Sequence, residues 1–258
     1  MMKPYAQGKR WSLYSGDVLG VLPYLRSEGL RIDALITDPP YSSGGAFRSD
    51  RSVDPRKKYL RQDSKQAEWL PTFSGDSRDQ RSQTLWLSWV LSEGIALANP
   101  GAAICCFTDW RQIATTIDAI QVGGWVYRGL NPWVKKSARP SKGRFSASAE
   151  YVVWGSAGPF RSDGPCLAGY CFASPPSNRD HMTEKPADVM EWLVEICEPG
   201  GVILDPFAGS GSTGQAAIRS GRSVVLIERE PAYCDIIARR MEQAENDGQQ
   251  LTLYKAAK

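Results

Sequence analysis

The tetrapeptide Asp38-Pro39-Pro40-Tyr41 contains the residue types best suited to chemistry in this chain. It follows an apolar run, residues 32–37, and precedes a loop rich in Ser, Gly and Arg. Two successive prolines fix the backbone and remove two N–H donors, so the turn after the predicted strand is rigid. A carboxylate, the Pro39 carbonyl and an aromatic ring then surround a space that suits a planar group carrying an NH2. A purine or pyrimidine with an exocyclic amine has this shape, although the same tetrapeptide is also an ordinary turn signal.

A second stretch, residues 201–214, reads GVILDPFAGSGSTG. It predicts an apolar strand ending at Asp205, a glycine-rich turn and the start of a helix, an arrangement that lets a ligand approach the backbone closely. The next predicted strand ends at Glu228, where dinucleotide-type folds place an acid on ribose hydroxyls. The glycine spacing differs from GxGxxG, so a pyrophosphate ligand is not indicated, and a tight turn without a ligand remains the alternative.

Taken together, these stretches resemble the DNA amino-methyltransferases of the beta class, in which the catalytic motif precedes the cofactor motif. Other positions agree in order: Gly16-Asp17, the EYVVW run at 150–154 and the HMTEKP run at 181–186. The resemblance covers nearly the whole chain except its loops. It implies an S-adenosylmethionine-dependent enzyme with a Rossmann-like α/β fold and a core of seven strands, one of them antiparallel.

The resemblance also implies roles for individual residues. The target amine would donate to Asp38 and to the Pro39 carbonyl in the turn formed with Pro40, while Tyr41 would stack on a base flipped out of the duplex. The cofactor would contact three regions: the methionine part would lie against Asp205, Phe207, Gly209 and Gly211, the ribose against Glu228, and the adenine ring near Asp17. Lys185 would form part of the wall near the methionine group.

Adenine N6 in double-stranded DNA is the predicted target, because DPPY in this family is mostly associated with adenine, whereas cytosine-N4 enzymes more often carry Ser in place of Asp38. Cytosine N4 remains the alternative, since the two amines have similar geometry. A DNA-binding regulator without turnover would not need intact Asp38, Tyr41, Asp205 and Glu228. An oxidoreductase with a nucleotide cofactor is disfavoured by the glycine spacing.

Two basic segments are predicted to contact DNA. Residues 42–65 contain seven Lys or Arg and three acids, and residues 128–144 contain six Lys or Arg and no acid. Basic side chains interleaved with aromatic ones suit phosphate contacts and stacking on unpaired bases. A solvated surface is the alternative for both segments. The predicted DNA contacts are Arg48, Arg51, Lys57, Lys58, Lys135, Lys136, Arg139, Lys142 and Arg144.

Apolar strands alternate with helical patterns along the chain, which predicts a mostly parallel, twisted sheet with helices on both faces. We expect one methyltransferase domain over 1–258, a DNA-contacting insertion at 42–80 and a target-recognition region at 134–180. A helix is expected from Thr84 to Ala98, and another from Pro231 to Ala244, followed by a small edge strand at Leu251–Tyr254.

Composition narrows the classes of protein. A hydrophobic fraction of 42% supports a buried core, and a net charge of +3 does not by itself indicate nucleic acid. One His and six Cys without a CxxC pair make a zinc site improbable, and Cys105 and Cys106 are expected in the core. No signal-peptide pattern or membrane-length apolar run occurs, so a cytoplasmic protein is expected, with a homodimer left open.

Overall fold

The computed structural model describes residues 2–40, 78–135, 142–143, 145–161, 164–174 and 184–256. Strands in these ranges are β1 Ala6–Gln7, β2 Trp11–Ser15, β3 Ile32–Thr37, β4 Ala98–Thr108, β5 Val126–Lys135, β6 Ala149–Ser156, β7 Cys171–Ala173, β8 Val202–Asp205 and β9 Ser223–Glu228. Helices are α1 Val18–Ser27, α2 Gln80–Leu97, α3 Ile113–Val122, α4 Ala187–Val194, α5 Ser212–Arg219 and α6 Pro231–Ala256.

The strands form one sheet in the order β1-β2-β9-β8-β3-β4-β6-β5-β7. The five neighbouring strands from β2 to β4 are parallel, and β6 runs antiparallel to β4 and to β5. The expected core of seven strands with one antiparallel member is therefore present. Two short strands extend it: β1 pairs antiparallel with β2, and β7 pairs parallel with β5.

Alternating side chains of the central strands build two cores, one on each face of the sheet. On one face, Ala34 and Ile36 of β3 pack with Met190 of α4 and with residues of α5 and α6. On the other face, Leu35 packs with Leu87 of α2 and with residues of α1 and α3. The predicted α/β layering is confirmed, and Cys105 and Cys106 are buried as expected, one in each core.

The order in which the chain adds strands to the sheet reverses between β8 and β3, which are themselves parallel. From β3 the chain crosses to β4 on one side, whereas from β8 it crosses to β9 on the other side. In open α/β sheets, ligands bind outside the carboxyl ends of the strands at such a reversal. The Asp38 turn follows β3 and the glycine-rich turn follows β8, so both predicted motifs lie at this point.

Helix α2 begins earlier than predicted, because Asp79 caps it by accepting a hydrogen bond from the Ser82 N–H at 2.9 Å. The predicted insertion at 42–80 therefore ends at this cap, and residues 41–77 lie outside the described ranges.

The predicted edge strand at Leu251–Tyr254 is wrong, because these residues belong to α6. The helix continues past Ala244 since the following Glu and Gln residues are good helix formers and one Gly does not end it. In the described part of the chain, no helix has the length and apolar character needed to cross a membrane.

Candidate active site

An acidic residue stands at the carboxyl end of each of the five parallel strands. In sheet order these are Asp17 just after β2, Glu228 ending β9, Asp205 ending β8, Asp38 after β3 and Asp109 after β4. Because the carboxyl ends of parallel strands meet at one edge of a sheet, these side chains line a common crevice. The crevice is therefore rich in hydrogen-bond acceptors.

Asp38 directly follows β3 and forms an ion pair. Its Oδ2 accepts a hydrogen bond from Lys185 Nζ at 2.5 Å, and the side chain is 23% exposed. Its Oδ1 is buried and accepts no hydrogen bond from the described residues. A buried acceptor without a donor is unfavourable, so this oxygen is ready to accept a hydrogen bond from an incoming group.

The pKa values of this pair follow from burial and charge. Burial raises the pKa of Asp38, Lys185 lowers it, Glu150 raises it, and burial has the larger effect. Burial lowers the pKa of Lys185, but the neighbouring Asp38 and Glu150 carboxylates raise it above its usual value overall. Lys185 is therefore protonated at neutral pH.

The turn after Asp38 is held by Gln83 of α2. The Gln83 side chain is buried, and its Nε2 donates to the carbonyl of Pro40 at 2.9 Å. Since two prolines leave this turn without N–H donors, a side chain from another element has to fix it. Tyr41, the predicted stacking residue, lies outside the described residues, so its role stays a prediction.

Asp205 organises the glycine-rich turn. Its Oδ1 accepts from Thr37 Oγ1 and from Phe207 N, both at 3.0 Å, and its Oδ2 accepts from Thr213 Oγ1 at 2.5 Å. Burial raises the pKa of Asp205 to about 6, although these three hydrogen bonds lower it. The carboxylate thus ties β3 to the turn after β8, and its predicted contact with a cofactor stays a prediction.

Two glycines of the turn adopt left-handed backbone conformations, with φ of 55° at Gly209 and 82° at Gly211. Gly211 caps α5 in this conformation, which residues other than glycine rarely adopt. Gly209 N donates to Glu228 Oε2 at 2.8 Å. Glycine therefore has a geometric function at both positions.

Glu228 is 9% exposed and accepts a second hydrogen bond from Glu230 N, at 2.8 Å, through Oε1. Burial raises the pKa of Glu228 to about 7, although backbone hydrogen bonds from Glu230, Gly209 and Arg229 lower it. A carboxylate offers about four acceptor positions, so at least one remains after these three backbone hydrogen bonds for a hydroxyl of a ligand. The position agrees with the predicted ribose contact without testing it.

Aromatic and charged side chains lie near the glycine-rich turn. Phe207 contacts Trp86 of α2 with ring centroids 5.3 Å apart, and Arg78 lies over the Trp86 ring at 3.9 Å. Asp17 caps α1 by accepting from Leu19 N at 3.0 Å, while its exposed carboxylate lies 3.8 Å from Arg229. These groups offer apolar and acceptor surfaces for an adenine ring.

The described contacts of Lys185 are Asp38, Glu150 at 3.4 Å and the ring of Phe107 at 5.0 Å. They place its ammonium beside the predicted catalytic carboxylate. Its contact with a cofactor stays a prediction.

The predicted DNA contacts are only partly described. Lys135 ends β5 and pairs with Glu150 at 2.7 Å, and Lys142 is exposed. Arg128 lies near the amino end of β5, at the other end of the strand from Lys135, and donates to Ser156 Oγ at 3.1 Å and to the Gly158 carbonyl at 3.2 Å. Arg128 thus has a structural role. The other predicted DNA contacts lie outside the described residues: Arg48, Arg51, Lys57, Lys58, Lys136, Arg139 and Arg144.

Sequence reasoning missed Gln83, Trp86 and Arg78. Gln83 and Trp86 lie in the first turns of α2 and Arg78 lies just before its cap, far along the chain from either motif, and no local pattern marks them. Among the described residues, no group of three His, Cys, Asp or Glu side chains is placed to hold a metal ion.

The sheet order, the acidic carboxyl edge and the glycine-rich turn are features of the doubly wound α/β folds that bind nucleotide ligands. Residues 160–239, which include the glycine-rich turn and Glu228, match the DNA methylase family model for N6 and N4 methylation. The Asp38 turn lies outside this match.

Relatives and solved structures cover most of the chain. It is 28% identical to the putative methylase YubD of Escherichia coli K12 over 80% of this chain and 79% of that protein. It is 25% identical to the type II methyltransferase M2.DpnII of Streptococcus pneumoniae over 96% of this chain and 95% of that protein.

Among solved structures, the M1.HpyAVI complex with S-adenosylmethionine superimposes with a TM-score of 0.64 at 23% identity, covering 90% of this chain and 98% of that one. The PvuII cytosine-N4-specific DNA methyltransferase superimposes with a TM-score of 0.67 at 17% identity, covering 96% of this chain and 94% of that one. The fold is that of Rossmann-like methyltransferases, and the family match and relatives support a DNA methyltransferase. The family model covers N6 and N4 methylation, and the PvuII enzyme is cytosine-N4-specific.

Proposed function

We propose that this protein transfers a methyl group from S-adenosylmethionine to the exocyclic N6 amine of an adenine flipped out of double-stranded DNA. The observation that carries the proposal is the buried Asp38 Oδ1, which accepts no hydrogen bond from the described residues and belongs to the turn after β3, the strand next to β8 and its turn organised by Asp205 and Glu228. Both substrates are thus assigned to adjacent parts of one edge of the sheet.

The residues present fit the cofactor. Glu228 retains acceptor capacity for ribose hydroxyls, and the left-handed Gly209 and Gly211 let a ligand approach the backbone. Phe207 supplies an apolar surface, and Asp17 an exposed acceptor at the next strand end. S-adenosylmethionine, when bound, supplies a methyl group activated on a positively charged sulfur.

Asp38 and the Pro39 carbonyl act on the amine. Its lone pair is delocalised into the ring, so it is a poor nucleophile, and two accepted hydrogen bonds favour a pyramidal nitrogen with an available lone pair. With the cofactor bound, the amine would gain the methyl group as the bond of that group to sulfur breaks, and the nitrogen would release one proton to water. Asp38 stabilises the positive charge that develops on nitrogen, and the rigid turn holds the geometry in which the reacting atoms meet.

Adenine is assigned through Asp38 itself, because Ser is more frequent at this position in enzymes that methylate cytosine N4. Basic side chains of the segments at 42–65 and 135–144 contact DNA phosphates in this proposal. Base reading belongs to the connecting segments of 134–180, since the structure assigns residues 149–156 and 171–173 of that range to the sheet.

DNA from cells that express the protein, hydrolysed and examined by mass spectrometry, should contain N6-methyladenine, and cells expressing Asp38→Ala should lack it. N4-methylcytosine alone would move the activity to the cytosine class. Calorimetry should show binding of S-adenosylmethionine and none of NAD. The reverse would overturn the cofactor assignment.

A further inference from the structure

Four charged side chains form a continuous row from the crevice to the end of β5. Asp38 pairs with Lys185 at 2.5 Å, Lys185 lies 3.4 Å from Glu150 of β6, and Glu150 pairs with Lys135 of β5 at 2.7 Å. The signs alternate along the row. Each charge is therefore neutralised by its neighbours.

Lys185 is the most deeply buried member of the row, with 5% of its side chain exposed. A lysine is almost never buried unless its ammonium is paired, because removing the charge from water is costly. Here the ammonium lies between two carboxylates and 5.0 Å from the centre of the Phe107 ring. Its position is thus fixed from three sides.

The contact made by Lys185 leaves the two oxygens of Asp38 in different states. Oδ2 is taken by the ammonium, while Oδ1 is buried and has no donor among the described residues. A carboxylate held through one oxygen has a fixed plane, so the direction of the other oxygen is also fixed. A hydrogen bond that has to align an amine for transfer depends on such a direction.

We propose that Lys185 and Glu150 are positioning residues for methyl transfer: Lys185 orients the Asp38 carboxylate toward the target amine, and Glu150 holds Lys185 in place. This inference rests on the proposed function. Neither residue touches the reacting atoms in this account. Their removal should reduce the rate of transfer more than the binding of either substrate.

Charge gives the two residues opposite effects on Asp38. The titratable groups that influence it are Lys185, Glu150 of β6, Cys106 of β4 and Asp205 of β8. Lys185 lowers the pKa of Asp38 and Glu150 raises it. Because the ionised Asp38 carboxylate accepts the hydrogen bond from the target amine, activity is lost as pH falls through the pKa of Asp38. Loss of Lys185 should move this acid limb to higher pH, and loss of the Glu150 charge should move it to lower pH.

The experiment measures kcat and KM across pH for the wild type, Lys185→Met, Lys185→Arg and Glu150→Gln. We expect kcat to fall about 100-fold in Lys185→Met and about tenfold in Glu150→Gln, with both KM values changed by less than about threefold. Lys185→Arg keeps the positive charge, so its acid limb should lie at the same pH as that of the wild type. Glu198→Gln is the matched control, because it breaks a surface ion pair with Arg161 and should leave kcat and the pH profile unchanged.

Thermal unfolding of each variant separates misfolding from mispositioning. If Lys185→Met does not fold, Lys185→Arg and Glu150→Gln still provide the test through the pH profile. Wild-type kcat in both Lys185 variants, or acid limbs that move in the same direction in Lys185→Met and Glu150→Gln, would overturn the inference alone. An inactive wild type would overturn the proposed function as well.

Discussion

The two ends of strand β3 carry carboxylates in opposite situations. At the amino end, Asp33 accepts from Asn99 Nδ2 at 2.8 Å and from Val202 N at 2.9 Å, so both of its oxygens have donors. At the carboxyl end, Asp38 has one oxygen on Lys185 and one without a donor among the described residues. The same residue type on the same strand thus has a structural role at one edge and free binding capacity at the other.

Strand β5 repeats this contrast with basic residues. Arg128 at its start is bonded to neutral groups of the protein, Ser156 and Gly158, whereas Lys135 at its end belongs to the charged row that reaches Asp38. At both strands, the charged group at the amino end, the supporting edge of the sheet, bonds to neutral partners, whereas the charged group at the carboxyl end, the reactive edge, belongs to the charged row. Variants matched across the two edges test the distinction.

The largest effect is expected from Asp38→Ala compared with Asp33→Ala. Asp38→Ala should lower kcat by about 1,000-fold, because it removes an acceptor that acts on the developing charge, and should leave S-adenosylmethionine affinity nearly unchanged. Asp33→Ala should retain kcat and lower the free energy of unfolding by about 1–3 kcal/mol, since it leaves two donors unpaired. Steady-state kinetics and denaturant unfolding measure the two quantities. Similar kcat losses in both variants would remove the contrast between the edges.

Glu228 should control cofactor affinity. Glu228→Gln is expected to raise the Kd for S-adenosylmethionine about tenfold, because the amide is a weaker acceptor than the carboxylate. The pKa of Glu228 is about 7, and the ionised form binds the ribose in our proposal, so wild-type Kd should fall up to about tenfold between pH 6 and pH 8.

Glu228→Gln should abolish that pH dependence. Calorimetry at several pH values provides the measurement. An unchanged Kd in the variant would place the ribose elsewhere.

Neutralising Lys135, Lys136 and Arg139 together should weaken DNA binding and flatten the dependence of log K on log salt concentration by about 0.9 per lost phosphate contact. Lys135→Met alone separates the lysine paired with Glu150 from the other two. Arg128→Gln is the control at the opposite edge and should keep the wild-type salt slope. Fluorescence anisotropy with duplex DNA measures these slopes. A triple variant with the wild-type slope would place the DNA-binding surface elsewhere.

The smallest effect is expected from two glycines with the same backbone geometry. Gly211 in the glycine-rich turn has φ of 82°, and Gly200, before β8 at the supporting edge, has φ of 79°. Alanine at either position should cost about 1–2 kcal/mol of stability, because a Cβ is strained in this region. Only Gly211→Ala should also weaken S-adenosylmethionine binding, by a few-fold. Equal Kd values for the two variants would assign Gly211 a purely structural role.

The layered fold and the chemical turns could be predicted from sequence, because each depends on local pattern. Alternating apolar runs and helix signals predict the parallel sheet, and the strand–Asp205–glycine sequence predicts a ligand turn at its carboxyl edge. The extent of α6 was predicted less well, since the pattern shows a helix but contains no strong stop signal. Asp79 was also overlooked as the cap of α2.

The partners of the site residues could not be predicted in this way. The Gln83 bond to Pro40 and the Lys185–Asp38 pair connect residues far apart in sequence, and only the packed sheet brings them together. The resemblance named Lys185 but did not indicate its pairing with Asp38. The hydrogen bonds of Asp33 and Arg128 likewise depend on tertiary contacts.

The central claim is that the carboxyl edge around Asp38 transfers a methyl group to an amine of DNA. Purified protein, duplex DNA and S-adenosylmethionine with an isotopically labelled methyl group test it most directly, with the label located by mass spectrometry of the nucleosides. The account predicts labelled N6-methyladenine from the wild type and a rate about 1,000-fold lower from Asp38→Ala. A wild type that binds S-adenosylmethionine and DNA but leaves no label in any base would contradict it.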